Sequence, residues 1–348
     1  IQASSLTKKE GLIGFISPYV WMFISSYEEL RNIVITKTTL TSLIQLEYNA
    51  FEPACVPIAT FTLRNSFLEK FKGSYIKLSE FKGYQNQAPK TLEAIKNPNC
   101  GWFYTANQKN FDRIPGYKMG YWLNNKILSV FENNTLWNKT ASFVVGMSTA
   151  NNAKYIRNWH EIKIIDFKLN NGKKWFPANN GGGYRKWYGN REDVINWYNG
   201  GTEIKLGNGT IRNEKFYFKD GITWCSISSN SISVRYFEKD FVFTTAGFCA
   251  FNNNRLEIYN LLGLLNSKVA VEILKVYSPT LNFNVGDIQN LPKIQSNKPD
   301  ILVSNCISLS KSDWDSRETS WAFLQNELIR CKSNCGQNCA DLDMLDDE

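Results

Sequence analysis

The chain has 348 residues, of which 43% are hydrophobic, 14% aromatic and 21% charged, a globular composition that excludes disordered classes and is long enough for two hydrophobic cores. Its net charge of +8 conceals a stronger bias, because five acidic residues fall within the last eight positions and residues 1–340 carry +13. No run of about 18 uncharged apolar residues occurs and no charged-then-apolar leader opens the chain, which excludes a membrane-spanning helix and predicts a soluble, cytoplasmic protein.

Residues 11–18, Gly11-Leu12-Ile13-Gly14-Phe15-Ile16-Ser17-Pro18, form a short apolar run ended by proline, the pattern of a strand buried on both faces in a parallel sheet. The sequence opens on Ile1 and enters this segment almost at once, so a portion of something longer is expected. Ser25 as a cap, Glu28 and Glu29 in a first turn, and Leu30, Ile33 and Val34 on one face predict a helix. Two apolar, β-branched runs at 40–46 and 56–63 follow, separated by a loop with Asn49, Glu52 and Pro53. Strand, helix, strand, strand over residues 1–66 reads as the C-terminal edge of a Rossmann-like α/β sheet, too small to stand alone because one helix cannot cover both faces.

A lysine-bearing stretch at 67–101 reads as a linker, and residues 102–295 as a mixed α+β, strand-rich domain. Strands are expected at 142–147, 160–169, 215–218, 222–227, 231–236 and 241–245. Over 256–276, Leu261, Leu262, Leu265, Val269 and Ile273 share a helical register and predict one long or broken core helix. A turn and short strand at 286–292 close the domain, and 296–348 form an extension with an acidic tail.

Chemistry-bearing motifs are sparse. The glycine clusters Gly181-Gly182-Gly183 and Gly207-Asn208-Gly209 do not follow an apolar strand and open a helix, so they read as turns and not as nucleotide-binding loops. His160 is the only histidine and has no marked Ser or Cys nucleophile around it; a structural role is the expectation. The eight cysteines read as reduced thiols. Cys331, Cys335 and Cys339 recur in CxxxC steps beside Asp341 and Asp343, but zinc sites favour CxxC-like pairs with a fourth soft ligand, so no metal site is assigned.

The segment 173–190 is the most informative. Lys173, Lys174, Arg185 and Lys186 interleave with Trp175, Phe176, Tyr184, Trp187 and Tyr188, four cations with five aromatics over eighteen residues, together with Asn179, Asn180 and a glycine hinge. Cations neutralise phosphates, Asn and Arg read base edges, and aromatic faces stack on unstacked bases. The same residues could equally be core anchors with ordinary surface charge. Trp224, Arg235, Tyr236 and Lys239 form a second, sparser set.

Here a resemblance enters. Lys174-Trp175-Phe176-Pro177 followed by Gly182-Gly183-Tyr184-Arg185-Lys186-Trp187-Tyr188-Gly189-Asn190 resembles a signature of the PglX family, the adenine-specific DNA methyltransferases of bacteriophage-exclusion (BREX) systems. Residues 17–31 (SPYVWMFISSYEELR) resemble the segment after that family's catalytic motif, and residues 313–323 (DWDSRETSWAF) a block beyond its recognition domain. The three blocks stand in the family's order over residues 1–325. The resemblance implies that 1–66 end a methyltransferase domain and that 102–295 form the target-recognition domain. Double-stranded DNA, the upstream methyltransferase portion and other BREX proteins are then the implied partners, with no membrane involved. It also implies S-adenosylmethionine as methyl donor to adenine N6 in the whole enzyme. The donor-binding glycine loop and the polar-Pro-Pro-aromatic tetrapeptide are not visible, and no two prolines are adjacent. No catalytic residue is therefore carried over, this chain alone is expected to be inactive and to bind no cofactor itself, and the DNA-binding candidates are Lys173, Lys174, Trp175, Asn179, Asn180, Tyr184, Arg185, Lys186, Trp187, Tyr188 and Arg235. The alternative is a secreted or surface carbohydrate-binding module, suggested by the tryptophans and by Asn-x-Thr sequons at Asn133, Asn138 and Asn208.

Overall fold

A computed structural model describes residues 2–51, 56–167, 174–228, 231–277, 282–294 and 299–334. The chain divides into two compact units, the first comprising Ile1–Leu136, Glu272–Pro279 and Asn290–Pro292, the second Trp137–Val271, Thr280–Gln289 and Lys293–Glu348.

The first unit contains α1 (Gln2–Leu6), α2 (Glu28–Lys37), α3 (Gln87–Lys96) and α4 (Asn125–Asn133). Its sheet has five strands, β1 (Leu12–Pro18), β2 (Thr39–Gln45), β3 (Ile58–Arg64), β4 (Lys72–Lys77) and β5 (Phe103–Asn107), in the order β1-β3-β2-β4-β5. β3 lies antiparallel to both β1 and β2, while β2 and β4 are parallel. Strict alternation in β3 turns Ala59, Phe61 and Leu63 inward, as a period of two requires. They pack with Met22, Phe23, Leu40, Leu43, Tyr75 and Phe111. Arg31 is fully buried at the centre of this unit, where it donates to the carbonyls of Trp21 and Ile24, both at 2.7 Å, and of Gly116 at 2.8 Å. Burial lowers its pKa, and the carbonyl contacts are what make a charge there tolerable.

Three local expectations change. β1 is antiparallel and at the sheet edge, and Leu12 and Ile16 are 72% and 62% exposed. An apolar run records that a strand could be covered on both faces, not that it is. Helix α2 begins at Glu28 after a 3₁₀ turn at Ser25–Tyr27, with no side-chain cap bond. Residues 67–101, read as a linker, carry β4 and α3, and Phe81, Trp102 and Phe103 pack there against Ile76, Leu78 and Ala94.

The second unit holds two four-stranded sheets. One has the order β11 (Val234–Phe237), β10 (Gly221–Cys225), β13 (Gly247–Phe251), β6 (Ser142–Val144); the other β12 (Val242–Phe243), β8 (Trp175–Asn179), β9 (Asp193–Asn196), β7 (Ile156–Asn158). They share a core that includes Met147, Tyr155, Ile195, Trp197, Phe241, Phe243, Cys249 and Phe251. The sheets touch closely at Gly247, where a Cβ would stand 2.4 Å from the carbonyl oxygen of Asn179, so only glycine fits. The helices are α5 (Asn152–Tyr155), α6 (Tyr198–Leu206), α7 (Arg255–Leu265), α8 (Lys268–Tyr277), α9 (Val285–Ile288), α10 (Pro299–Asp315) and α11 (Glu327–Asn334), with α8 running on into the first unit.

The broken helix expected over 256–276 is the pair α7 and α8. The break falls at Asn266, whose side-chain amide bonds both the N–H and the carbonyl of Val234, at 3.0 and 2.9 Å. The strands expected at 160–169 and 215–218 are instead 3₁₀ turns at Trp159–Glu161, Ile164–Asp166 and Glu214–Phe216, residues 168 and 169 lying outside the described set. Glu161 accepts from the backbone N–H of Asn158 at 2.6 Å, and Asn213 and Phe218 take φ of +55° and +62°; these local features close turns that the apolar pattern does not reveal. The fold class stands as read: the edge of an α/β sheet followed by a mixed, strand-rich α+β region.

Candidate nucleic-acid interface

Strands β8 and β9 pair antiparallel, Trp175 opposite Asn196 and Pro177 opposite Val194. The loop between them, residues 180–192, contains the second half of the dense aromatic and cationic segment, Tyr184 to Tyr188. Five of its residues have positive φ: Gly181, Gly182, Trp187, Gly189 and Asn190. For Trp187, at +72°, this is a costly conformation for a bulky side chain. It is held by bonds on both sides of its peptide unit, since Trp187 N–H donates to Val234 at 2.8 Å and Tyr236 N–H donates to Trp187 at 2.8 Å. The loop thereby pairs, in parallel sense, beside the edge strand β11.

Most of the polar candidates are engaged inside the protein. Arg235, 2% exposed, donates to the carbonyl of Gly181 at 2.9 Å and weakly to that of Arg185 at 3.4 Å. Desolvation pulls its pKa down to about 10, so it stays charged at neutral pH. Its Nε has no partner among the described residues. The Arg185 guanidinium donates to Tyr188 O at 3.1 Å, pairs with the Asp313 carboxylate and lies over the Trp314 ring at 4.9 Å. The Arg185 hydrogen bond holds the Asp313 carboxyl below the usual aspartate range. Lys186 donates to the carbonyl of Asn266 at the end of α7, at 2.8 Å. Tyr188 is 3% exposed and accepts from Lys311 at 3.1 Å. Desolvation raises its pKa. Asn180 donates to Asp193 at 3.0 Å and accepts from Thr244 at 2.6 Å; burial raises the pKa of Asp193. Asn179 is 5% exposed, and its Nδ2 has no partner among the described residues.

Sequence reasoning missed Arg191. Its guanidinium lies 4.4, 4.7 and 5.3 Å from the ring centroids of Tyr188, Phe241 and Trp321 and pairs with Glu238 at 2.7 Å. This aromatic box anchors the descending arm of the loop. Its signal was present in the chain, since Trp321 belongs to the 313–323 block, but only the fold brings that block to Arg191.

What remains accessible is narrower than the segment. Gly182, Gly183 and Tyr184 are exposed at the loop tip, Tyr184 at 57%, and Asn190 braces the tip by donating to Gly183 O at 2.7 Å. Lys174 is exposed at the base, with Glu203 at 4.0 Å, and Trp175 is half-buried beside it. Lys173, Cys335 and Cys339 lie outside the described residues. Among those described, no group of three or more His, Cys, Asp and Glu is placed to hold a metal, and no helix is long and apolar enough to cross a membrane.

Comparison with known proteins gives the loop its context. Over 345 residues the chain is 35% identical to the adenine-specific methyltransferase PglX of Lacticaseibacillus casei (strain Zhang), covering 93% of this chain and 29% of that protein. It is 34% identical over 346 residues to the adenine-specific methyltransferase BrxX of Escherichia coli O9:H4 (strain HS), covering 97% of this chain and 28% of that protein. The chain thus spans less than a third of the curated relatives it matches. A solved structure of the Type IIL restriction-modification enzyme MmeI in complex with DNA is similar in fold, with a TM-score of 0.50 at 10% identity over 95% of this chain and 43% of that one. No family model matches the chain.

Proposed function

Because the chain is related along nearly its whole length to part of the PglX methyltransferases, we propose that it supplies DNA target recognition to an adenine-specific DNA methyltransferase of a BREX phage-defence system. In that whole enzyme S-adenosylmethionine would donate a methyl group to adenine N6, marking host DNA as self; binding of the donor would fall to residues outside this chain. The similarity to two adenine-specific methyltransferases is the observation that carries this reading. The +13 charge of residues 1–340 supports it, because a basic body raises both the affinity for a polyanion and the rate of encounter with it. On this reading the first unit, whose sheet runs past the expected boundary at 66 through β5 at Phe103–Asn107, is the end of the methyltransferase sheet, and the second unit, beginning at Trp137 and not at 102, is the recognition domain.

The site geometry gives the proposal a division of labour. Arg185, Arg191, Arg235 and Tyr188 fix the shape of the 180–192 loop, and its exposed tip with Tyr184 meets DNA. A rigid scaffold under an exposed tip is how loops achieve defined contacts. Binding of the purified chain to duplex DNA at several salt concentrations, with S-adenosylmethionine titrated by calorimetry alongside, tests the proposal. Salt-dependent DNA binding without heat from the cofactor is expected. Absence of DNA binding would overturn the recognition role, and saturable cofactor binding would overturn the assignment of donor binding elsewhere.

A further inference from the structure

A second cationic feature of the same unit takes no part in the loop. A cleft of about 360 Å³ is lined by Lys219, Lys239 and Arg255 and by the rings of Phe216, Phe218 and Phe251. Phe216 and Phe251 stack at 4.9 Å with an interplanar angle of 23°. The ammonium groups of Lys215 and Lys219 lie 5.2 and 5.6 Å from the Phe216 centroid. Arg255 opens helix α7, so the positive end of an eleven-residue helix adds to the wall. Its guanidinium is oriented by the Tyr259 hydroxyl, which accepts from its Nε at 3.0 Å.

Charge balance in the cleft is one-sided. Asp220 is the one carboxylate among the described residues of its lining, and it accepts from the Tyr236 hydroxyl at 3.4 Å. Lys219 and Lys239 are exposed, and neither enters an ion pair among the described residues. Three cations thus converge on a polar pocket with a single acid and with amide groups at Asn252 and Asn253. Such a wall repels further cations and favours an oxyanion, which fixed donors and a helix N-terminus can hold without reorganisation. We propose that this cleft seats phosphodiester groups of the DNA backbone, with Lys219 and Lys239 as the charge partners and Arg255 as an oriented donor. This rests on the DNA-recognition reading and adds to it a sequence-independent clamp separate from the 180–192 loop.

The test is fluorescence-anisotropy binding of duplex DNA by the full chain and by Lys219→Ala/Lys239→Ala, across a salt series, with adenosine monophosphate titrated in parallel. Each phosphate contact contributes about 0.9 to the slope of log affinity against log salt, so the variant should lose about 2 from that slope and lose affinity equally for every duplex sequence. A wild-type chain that binds DNA while the variant keeps the same slope would overturn the clamp and leave the recognition reading intact. A wild-type chain that binds no DNA would overturn both. Saturable adenosine monophosphate binding that the variant abolishes, with its DNA slope unchanged, would assign the cleft to a free nucleotide and overturn the clamp. Both lysines are exposed, so the variant should melt with the wild type by circular dichroism.

Discussion

Two regions of the second unit hold clustered cations and aromatic rings, and they use them in opposite ways. In the 180–192 loop Arg185 is committed to Asp313 and Arg191 to Glu238 and a ring box, and Arg235 of β11 is committed to two of the loop's backbone carbonyls. In the Phe216 cleft Lys219 and Lys239 are committed to no carboxylate among the described residues. The difference teaches that density of charge along a sequence is a poor guide to charge available to a ligand. What counts is the charge left after the fold has paired what it can. The denser cluster is a clasp that sets the shape of a loop, and the sparser one keeps its charge available to a ligand.

The comparison breaks most severely at Arg235. If its role is internal, Arg235→Ala should strip the bonds to Gly181 and Arg185 from a fully desolvated site and leave a large void, for a loss of about 3 kcal/mol in urea unfolding. A stable variant with weakened DNA binding would instead make Arg235 a contact residue. Gly189→Ala should come next. Its φ is +122°, and a Cβ would stand 2.5 Å from Arg185 Cδ and 2.9 Å from the Trp314 ring, so strain and overpacking together should cost about 1–3 kcal/mol, read in the same unfolding assay. Unchanged stability would show that the clasp tolerates slack and is looser than its contacts imply.

The clasp also marks the limit of what the sequence reveals. The β-branched run of β3 and the helical spacing of α7 were legible because burial there follows a period set by the element itself; the register slips across the break, so that Val269, read on the same face, is 50% exposed in α8 while Ile273 is buried. The edge position of β1 was not, because exposure depends on which strand lies beside it. Composition singled out 173–190 as dense in cations and aromatics, with Arg235 in a second, sparser set. It could not show that Arg185 meets Asp313, 128 residues away, or that Asn266 at a helix break completes the hydrogen bonding of β11. Lys219 and Lys239 stand on separate turns, and only the fold makes one wall of them.

The smallest expected effect asks whether the clasp is held by charge or by packing. Arg185 lowers the pKa of Asp313, so in the folded state the carboxylate is favoured. A depressed carboxylate stabilises the fold above its unfolded pKa of about 3.9, and that contribution is lost as pH falls through the folded value. Asp313 is half-exposed, and solvent screening limits such a pair to about 0.2–1 kcal/mol. Asp313→Asn should therefore be less stable than wild type by that amount at pH 7 in urea unfolding, and the two curves should converge on acidification below about pH 4. A gap that persists in acid would mean that substitution disturbs the seat of Arg185 on Trp314, making ring packing the stronger half of the clasp. A gap absent at pH 7 would mean that the ion pair contributes nothing measurable, and would leave the aromatic contacts to hold the loop against α10.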